Sequence, residues 1–129
     1  MVLSAGIDMV EVVRIRRAIE NPKIGGRFRD RVYTEKEIRY CESKRRAKYQ
    51  SYAGRFAAKE AVMKALGKGW GSKVSWVDIE VLSSVGGTPE ICLRSKAGAF
   101  ARELGIQRIS LSITHTEQYA IAYVIAEAD

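Results

Sequence analysis

Two carboxylates stand in this sequence where carboxylates are costly. Asp8 lies between Ile7 and Met9 in the apolar run VLSAGIDMVEV, and Glu60 lies in RFAAKEAVMKALGKGWG, residues 55–71. Wound at about 100° per residue, Tyr49, Tyr52, Ala53, Phe56 and Met63 fall on one helical stripe, with Glu60 roughly 40° from Phe56 and inside it. A carboxylate in such surroundings must be protonated, paired or bound to a cation. If the first strand packs on this helix, Asp8 and Glu60 converge. Without His or Cys partners, two carboxylates favour a hard ion such as Mg²⁺, which commonly takes one or two protein carboxylates, waters and a substrate phosphate. The same residues also fit separate pairing, Asp8 with an arginine and Glu60 with Lys64 one turn later.

Two further stretches could touch phosphate. GKGWG places Gly67, Gly69 and Gly71 among Lys64, Lys68 and Lys73, and glycines let backbone N–H groups come close to phosphate oxygens. The spacing is not that of a Walker A loop, and a glycine helix stop explains it equally well. His115, the only histidine, ends the alternating run RISLSITH beside Thr114 and Thr116. A hairpin tip with an imidazole and two hydroxyls could bind phosphate or a nucleotide edge. No Ser/His/Asp arrangement is supported by spacing.

These groups must be positioned by a small α+β framework. VLSAGIDMVEV reads as a short buried strand leading into a helix that carries Arg14, Arg16 and Arg17, stopped by NPKIGG at 21–26. RFRDRVY is compatible with a helical turn. Thr34 and Glu37 form a capping-box pattern that opens a helix over EKEIRYCESKRR. The longest helix is expected from Lys48 to Leu66, ending at Gly67. Beyond Ser75 the pattern becomes VDIEVL and EICLR as hairpin strands, SKAGAFARELG as a helix, and RISLSITH and YAIAYVIAE as strands joined at TEQ. The expected architecture is an amino-terminal strand and helices, one of them long, followed by a mainly antiparallel sheet.

The 129 residues suffice for one domain, 1–129, with its own core. No apolar run approaches a membrane span, and the amino terminus lacks the pattern of a signal peptide. Cys41 and Cys92 have neither CxxC nor zinc-ligand spacing, so two free thiols and a reducing, cytoplasmic setting are expected. The net charge of +7 is lopsided: residues 1–73 carry 18 Lys and Arg against 8 Asp and Glu. An acidic or phosphorylated partner on the amino-terminal part is one reading, and a solvated helical surface is the other. A pI near 9.6 also admits a small nucleic-acid-binding protein, although no helix-turn-helix, zinc-finger, RRM or KH signature is present.

The order and spacing of four stretches resemble the bacterial holo-acyl-carrier-protein synthase family of short 4′-phosphopantetheinyl transferases. They are GIDMVEVVRI at 6–15, RFRDRVYTEKE at 27–37, AGRFAAKEAVMKALGKG at 53–69 and SITHTEQYA at 112–120. The resemblance covers nearly the whole chain. It implies the family's fold and transfer of phosphopantetheine from coenzyme A to a serine of apo-acyl carrier protein, with Mg²⁺ required and adenosine 3′,5′-bisphosphate released, in support of fatty acid biosynthesis.

By match to the family motifs, Asp8 and Glu60 hold the metal against the coenzyme A pyrophosphate, and Lys64 reaches the same phosphates. Glu60, directly or through a water, is the expected proton acceptor, with Asp8 next. His115 and Thr116 are implied at the coenzyme A site from a neighbouring subunit of a homotrimer. Arg55 and Lys59 are expected on the remaining phosphate, and the Gly67 backbone along the substrate path. Arg14 on the first helix and the pair Arg27 and Phe28 are implied to dock the acidic carrier. A non-catalytic trimeric scaffold is the remaining alternative, though such a module has no use for inward carboxylates. Neither nucleic acid nor membrane is an expected partner.

Overall fold

In the computed structural model, which describes residues 1–67, 74–84 and 86–129, β1 (Val2–Glu11) forms one edge of a three-stranded sheet. β5 (Tyr119–Glu127) is the centre and β4 (Arg108–His115) the other edge. All pairings are antiparallel, with Asp8 opposite Ala122 and Ala122 opposite Ile113. Alternation gives the sheet two faces. Ala120, Ala122, Val124 and Ala126 of β5 point inward and are buried, and their small side chains leave room for a helix to lie close.

That helix is α4 (Lys48–Leu66), ending at Gly67 in the left-handed conformation (φ 77°), where glycine carries no steric cost. Thirteen of its residues are buried, including every position from Tyr52 to Lys59. It therefore has no single apolar stripe, and the expectation of one with Glu60 at its heart needs correction. α4 is buried almost all round, with Glu60 half-buried at one margin and Lys64 exposed.

The amino-terminal helices pack around it: α1 (Val12–Glu20), α2 (Gly25–Val32) and α3 (Glu35–Glu42). The glycines after NPKI open α2 rather than only stopping α1. The Thr34–Glu37 capping box is present: the Thr34 hydroxyl accepts from Glu37 N–H and the Glu37 carboxylate from Thr34 N–H. α3 ends four residues earlier than the sequence pattern suggests, because the chain turns through a 3-10 segment (Arg45–Ala47) with Arg45 at φ 52°. A second sheet pairs β2 (Ile79–Ser83) with β3 (Pro89–Leu93), and α5 (Ser95–Glu103) follows. Among the described residues no helix is long and apolar enough to cross a membrane. Both cysteines are free, and burial pushes the Cys41 thiol up to about 12.

One buried ion pair ties these parts together. Lys59 Nζ donates to Glu37 Oε1 at 2.8 Å and to the Trp76 carbonyl at 3.0 Å, and both side chains are fully buried. Glu37 Oε2 also accepts from Val81 N–H at 2.8 Å. Burial pushes the Lys59 ammonium below its ordinary value, and Glu37 opposes that shift. The pair joins α3, α4 and β2 at one point and sets the rotation of α4.

The contact between β1 and α4 is closer than side chains normally permit. A Cβ on Gly6 would overlap the Ala61 carbonyl oxygen and lie 3.1 Å from Ala65 N. Two residues earlier on the same strand face, Ser4 Oγ donates to Ala65 O at 2.8 Å. Gly6→Ala is expected to cost about 1–3 kcal/mol through overpacking against backbone that has nowhere to move. Urea unfolding of the purified variant measures it; an unchanged midpoint would show that the strand can lift off without penalty.

Candidate active site

The face of β1 that begins with Ser4 and Gly6 continues, with period two, to Asp8. Gly6 holds the strand against Ala61 and Ala65, so Asp8 arrives beside the residues flanking Ala61, which are Glu60 and Lys64 one turn on. Lys64 Nζ donates to Asp8 Oδ1 at 3.0 Å and to the Ile7 carbonyl at 2.9 Å. Of the two separate pairings the sequence left open, neither forms: Lys64 bonds to Asp8, and not to Glu60 one turn before it.

Glu60 is left with a partial desolvation and a like charge. Burial raises its carboxyl above the ordinary range, Asp8 raises it further, and Lys64 and Arg14 pull it down. Two neighbouring carboxylates, one resisting ionisation, make a cradle that a divalent cation would relieve. Among the described residues no group of three or more His, Cys, Asp or Glu gathers elsewhere to hold a metal. A two-carboxylate site suits Mg²⁺, which fills its remaining positions with water and phosphate.

A second polar site lies on another side of α4. Arg55 and Glu60 are five residues apart, hence roughly 140° apart around the helix. Arg55 lines a cleft of about 140 Å³ that also takes Tyr40, Gln50, Ser83, Pro89 and His115. The Arg55 side chain is only 5% exposed. Its Nη2 donates to Ser83 Oγ at 3.0 Å, and its Nε is buried without a hydrogen-bond partner among the described residues. Buried cationic donors of this kind suit an anion. His115 Nδ1 sits 2.7 Å from Gln50 Oε1. With a carbonyl oxygen as its partner, Nδ1 carries the proton and Nε2 remains for a ligand.

The other expected residues divide. Thr116 is exposed at the β4–β5 turn, where its hydroxyl accepts from Gln118 and Tyr119 N–H at 3.2 and 3.1 Å. Lys59, expected with Arg55 on the remaining phosphate, lies one turn from it, but its ammonium is fully buried and engaged by Glu37 and the Trp76 carbonyl rather than open toward the cleft. Gly67 caps α4, while the rest of GKGWG, including Trp70, lies outside the described residues. Arg14 is exposed on α1. Arg27 and Phe28 on α2 line a shallow groove of about 630 Å³ with Ile24, Asp30 and Arg31. Sequence reasoning missed Tyr40, Gln50 and Ser83, which come together only through tertiary packing. Lys59 offered a signal that was available, since it lies one turn from Arg55 on a helix side that faces other elements.

A family model described as the 4′-phosphopantetheinyl transferase superfamily matches residues 4–124. A Koribacter versatilis protein named holo-[acyl-carrier-protein] synthase is 50% identical over 127 residues, covering 98% of this chain and 99% of that one. A Ruminiclostridium cellulolyticum protein of the same name is 49% identical, with 97% and 92% covered. The crystal structure of the Helicobacter pylori synthase in complex with coenzyme A superimposes with a TM-score of 0.82 at 34% identity, over 95% of this chain and 99% of that one. That of the Neisseria meningitidis synthase gives 0.86 at 35%, over 98% and 99%. On the extent of the family match and the identity of these relatives, the chain belongs to the 4′-phosphopantetheinyl transferase superfamily.

Proposed function

We propose that this chain transfers 4′-phosphopantetheine from coenzyme A to a serine hydroxyl of an apo-acyl carrier protein, releasing adenosine 3′,5′-bisphosphate, in support of fatty acid biosynthesis in the cytoplasm. The observation that carries the reading is the meeting of Asp8, Glu60 and Lys64 at the Gly6 contact, in a chain half identical to a protein named holo-[acyl-carrier-protein] synthase. The nucleic-acid-binding and scaffold alternatives are not favoured by such relatives.

In the transfer, the carrier serine oxygen bonds to the phosphorus that bears pantetheine, and that phosphorus loses its bond to the adenosine bisphosphate. Asp8 and Glu60 are the residues that would hold Mg²⁺, and Mg²⁺ when bound supplies positive charge to the pyrophosphate. Lys64 stabilises the charge that grows on the leaving phosphate, and its hold on Asp8 and the Ile7 carbonyl keeps it aimed. Glu60 takes the serine proton, directly or through a water. Arg55 and His115 bind the adenosine bisphosphate portion, with Thr116 shaping the turn beside them.

One coenzyme A reaches both sites most simply if two protomers supply them, since α4 stands between them in a single chain. The outer sheet face supports self-association into the homotrimer that the family resemblance implies. Ile7 and Tyr123 are opposite each other there, as are Met9 and Ile121, and Ile7, Met9 and Tyr123 are 57%, 61% and 43% exposed. A contiguous apolar patch of this kind marks an interaction surface. The expectation of β1 as a buried strand thus holds for one face within the chain. On the helical side, Arg27 and Arg31 outnumber Asp30 around apolar Ile24 and Phe28, and Arg14 is exposed on α1, which packs on α2; the positive balance suits an acidic carrier.

Incubation with apo-acyl carrier protein, coenzyme A and Mg²⁺, followed by intact-mass spectrometry, tests the function. The carrier is expected to gain one phosphopantetheine, and EDTA to prevent it; a carrier of unchanged mass would count against the reading. Glu60→Gln is expected to abolish the gain and also to raise the melting temperature of the metal-free protein. The sign follows from the raised carboxyl: above its ordinary value, a group that is harder to ionise in the folded protein than in the unfolded chain disfavours the fold, and an amide does not. A lowered melting temperature would contradict the electrostatic description. Arg14→Ala is expected to raise KM for the carrier, more at low salt than at high salt, and to leave KM for coenzyme A unchanged. An effect confined to coenzyme A would misplace the docking surface.

A further inference from the structure

Arg55 is a buried cation that no carboxylate of the described residues pairs, and something other than an ion pair must hold it. Its guanidinium carbon lies 3.8 Å from the centre of the Tyr40 ring, well inside the range of a cation–π contact. Lys44 Nζ lies 4.6 Å from the same ring centre. Lys44 sits immediately before Arg45, whose left-handed backbone (φ 52°) is unfavourable for a residue with a Cβ. The turn out of α3 is thus strained where it brings a second cation to the ring. Burial resists ionisation of the Tyr40 phenol, but Ser83, Arg55 and Lys44 together bring it below its ordinary value, so the ring stands in a concentrated positive field.

We propose that Tyr40 is a positioning residue for donor recognition: its ring holds the Arg55 guanidinium, with Lys44 beside it, ready for a terminal phosphate of the donor. This rests on the reading that the donor is coenzyme A. Its pyrophosphate belongs with Asp8, Glu60 and Lys64, and the remaining phosphate is the monoester on the ribose, kept in the released adenosine 3′,5′-bisphosphate. A ring that only filled space would not call for a desolvated guanidinium 3.8 Å above it, with neither a carboxylate partner nor an acceptor for Nε among the described residues. A phosphate dianion supplies the missing acceptor, and the aromatic face keeps the guanidinium in place without neutralising it first.

The experiment measures kcat and KM with coenzyme A and with dephospho-coenzyme A for the wild type, Tyr40→Phe, Tyr40→Leu and Arg55→Ala. Tyr40→Met is a second ring-free variant in case the leucine protein does not fold. Loss of the ring is expected to raise KM for coenzyme A roughly 5- to 10-fold, with kcat and KM for dephospho-coenzyme A within about twofold. Tyr40→Phe, which keeps the ring, is expected to restore most of the KM for coenzyme A. The proposal is overturned if the ring-free variants weaken both donors equally, which marks general packing, or if Tyr40→Phe is as damaging as Tyr40→Leu. Arg55→Ala separates the two levels. If it leaves both KM values unchanged, the phosphate reading of the cleft fails and Tyr40 has nothing to position. Absence of transfer from coenzyme A by the wild type would instead defeat the functional reading itself.

Discussion

The approach of β1 to α4 at Gly6 is the contact on which the site depends. Because no Cβ intervenes, the strand backbone rests against the Ala61 carbonyl, and Ser4 fixes the register by donating to Ala65 O. Asp8, one strand period further, can only arrive beside Glu60 and Lys64. Any larger residue at position 6 would lift the strand by the width of a methyl group. The carboxylates would then separate, although their own side chains were untouched. Geometry at the cluster is therefore paid for in the packing beneath it.

The rotation of α4 is the second half of that constraint. Lys59 anchors one side of the helix to Glu37 and the Trp76 carbonyl in the interior. Buried ion pairs stabilise little on balance, but removing one partner typically costs about 3–5 kcal/mol, so such a pair resists any slip of the helix about its axis. With that side fixed, Glu60 and Lys64 face β1, and Arg55 faces the cleft with Tyr40 and His115. A single helix thus carries two polar sites, which an elongated donor bearing a pyrophosphate and a separate phosphate can use together.

Much of this was legible from residue order. Glu60 and Asp8 stood out because an ionisable group in an apolar run must be compensated, and Thr34 with Glu37 gave the start of α3 through local hydrogen bonding alone. Gly67 likewise marked the end of α4. What escaped was long-range. The burial of α4 on nearly all sides follows from elements that sequence places far apart, so its helical stripe was misread. Lys59 was expected with Arg55 on the remaining phosphate, but its partner Glu37 lies 22 residues away on another helix and holds it in the core. The end of α3 was missed because Arg45 adopts a left-handed conformation that residue type does not announce. The cleft around Arg55 draws Tyr40, Ser83 and His115 from three elements, and no local pattern joins them.

The central claim is that the two sides of α4 act on one donor from two protomers, and subunit mixing tests it most directly. Glu60→Gln protein and Arg55→Ala/His115→Ala protein, each defective alone at low coenzyme A, would be dissociated, combined in equal amounts and reassociated. The account predicts recovery of transfer activity, approaching about a quarter of the wild-type rate for random trimers, because some interfaces then join an intact Glu60 to an intact Arg55. A mixture no more active than its separate components would contradict it, and would mean that each site is completed within one chain.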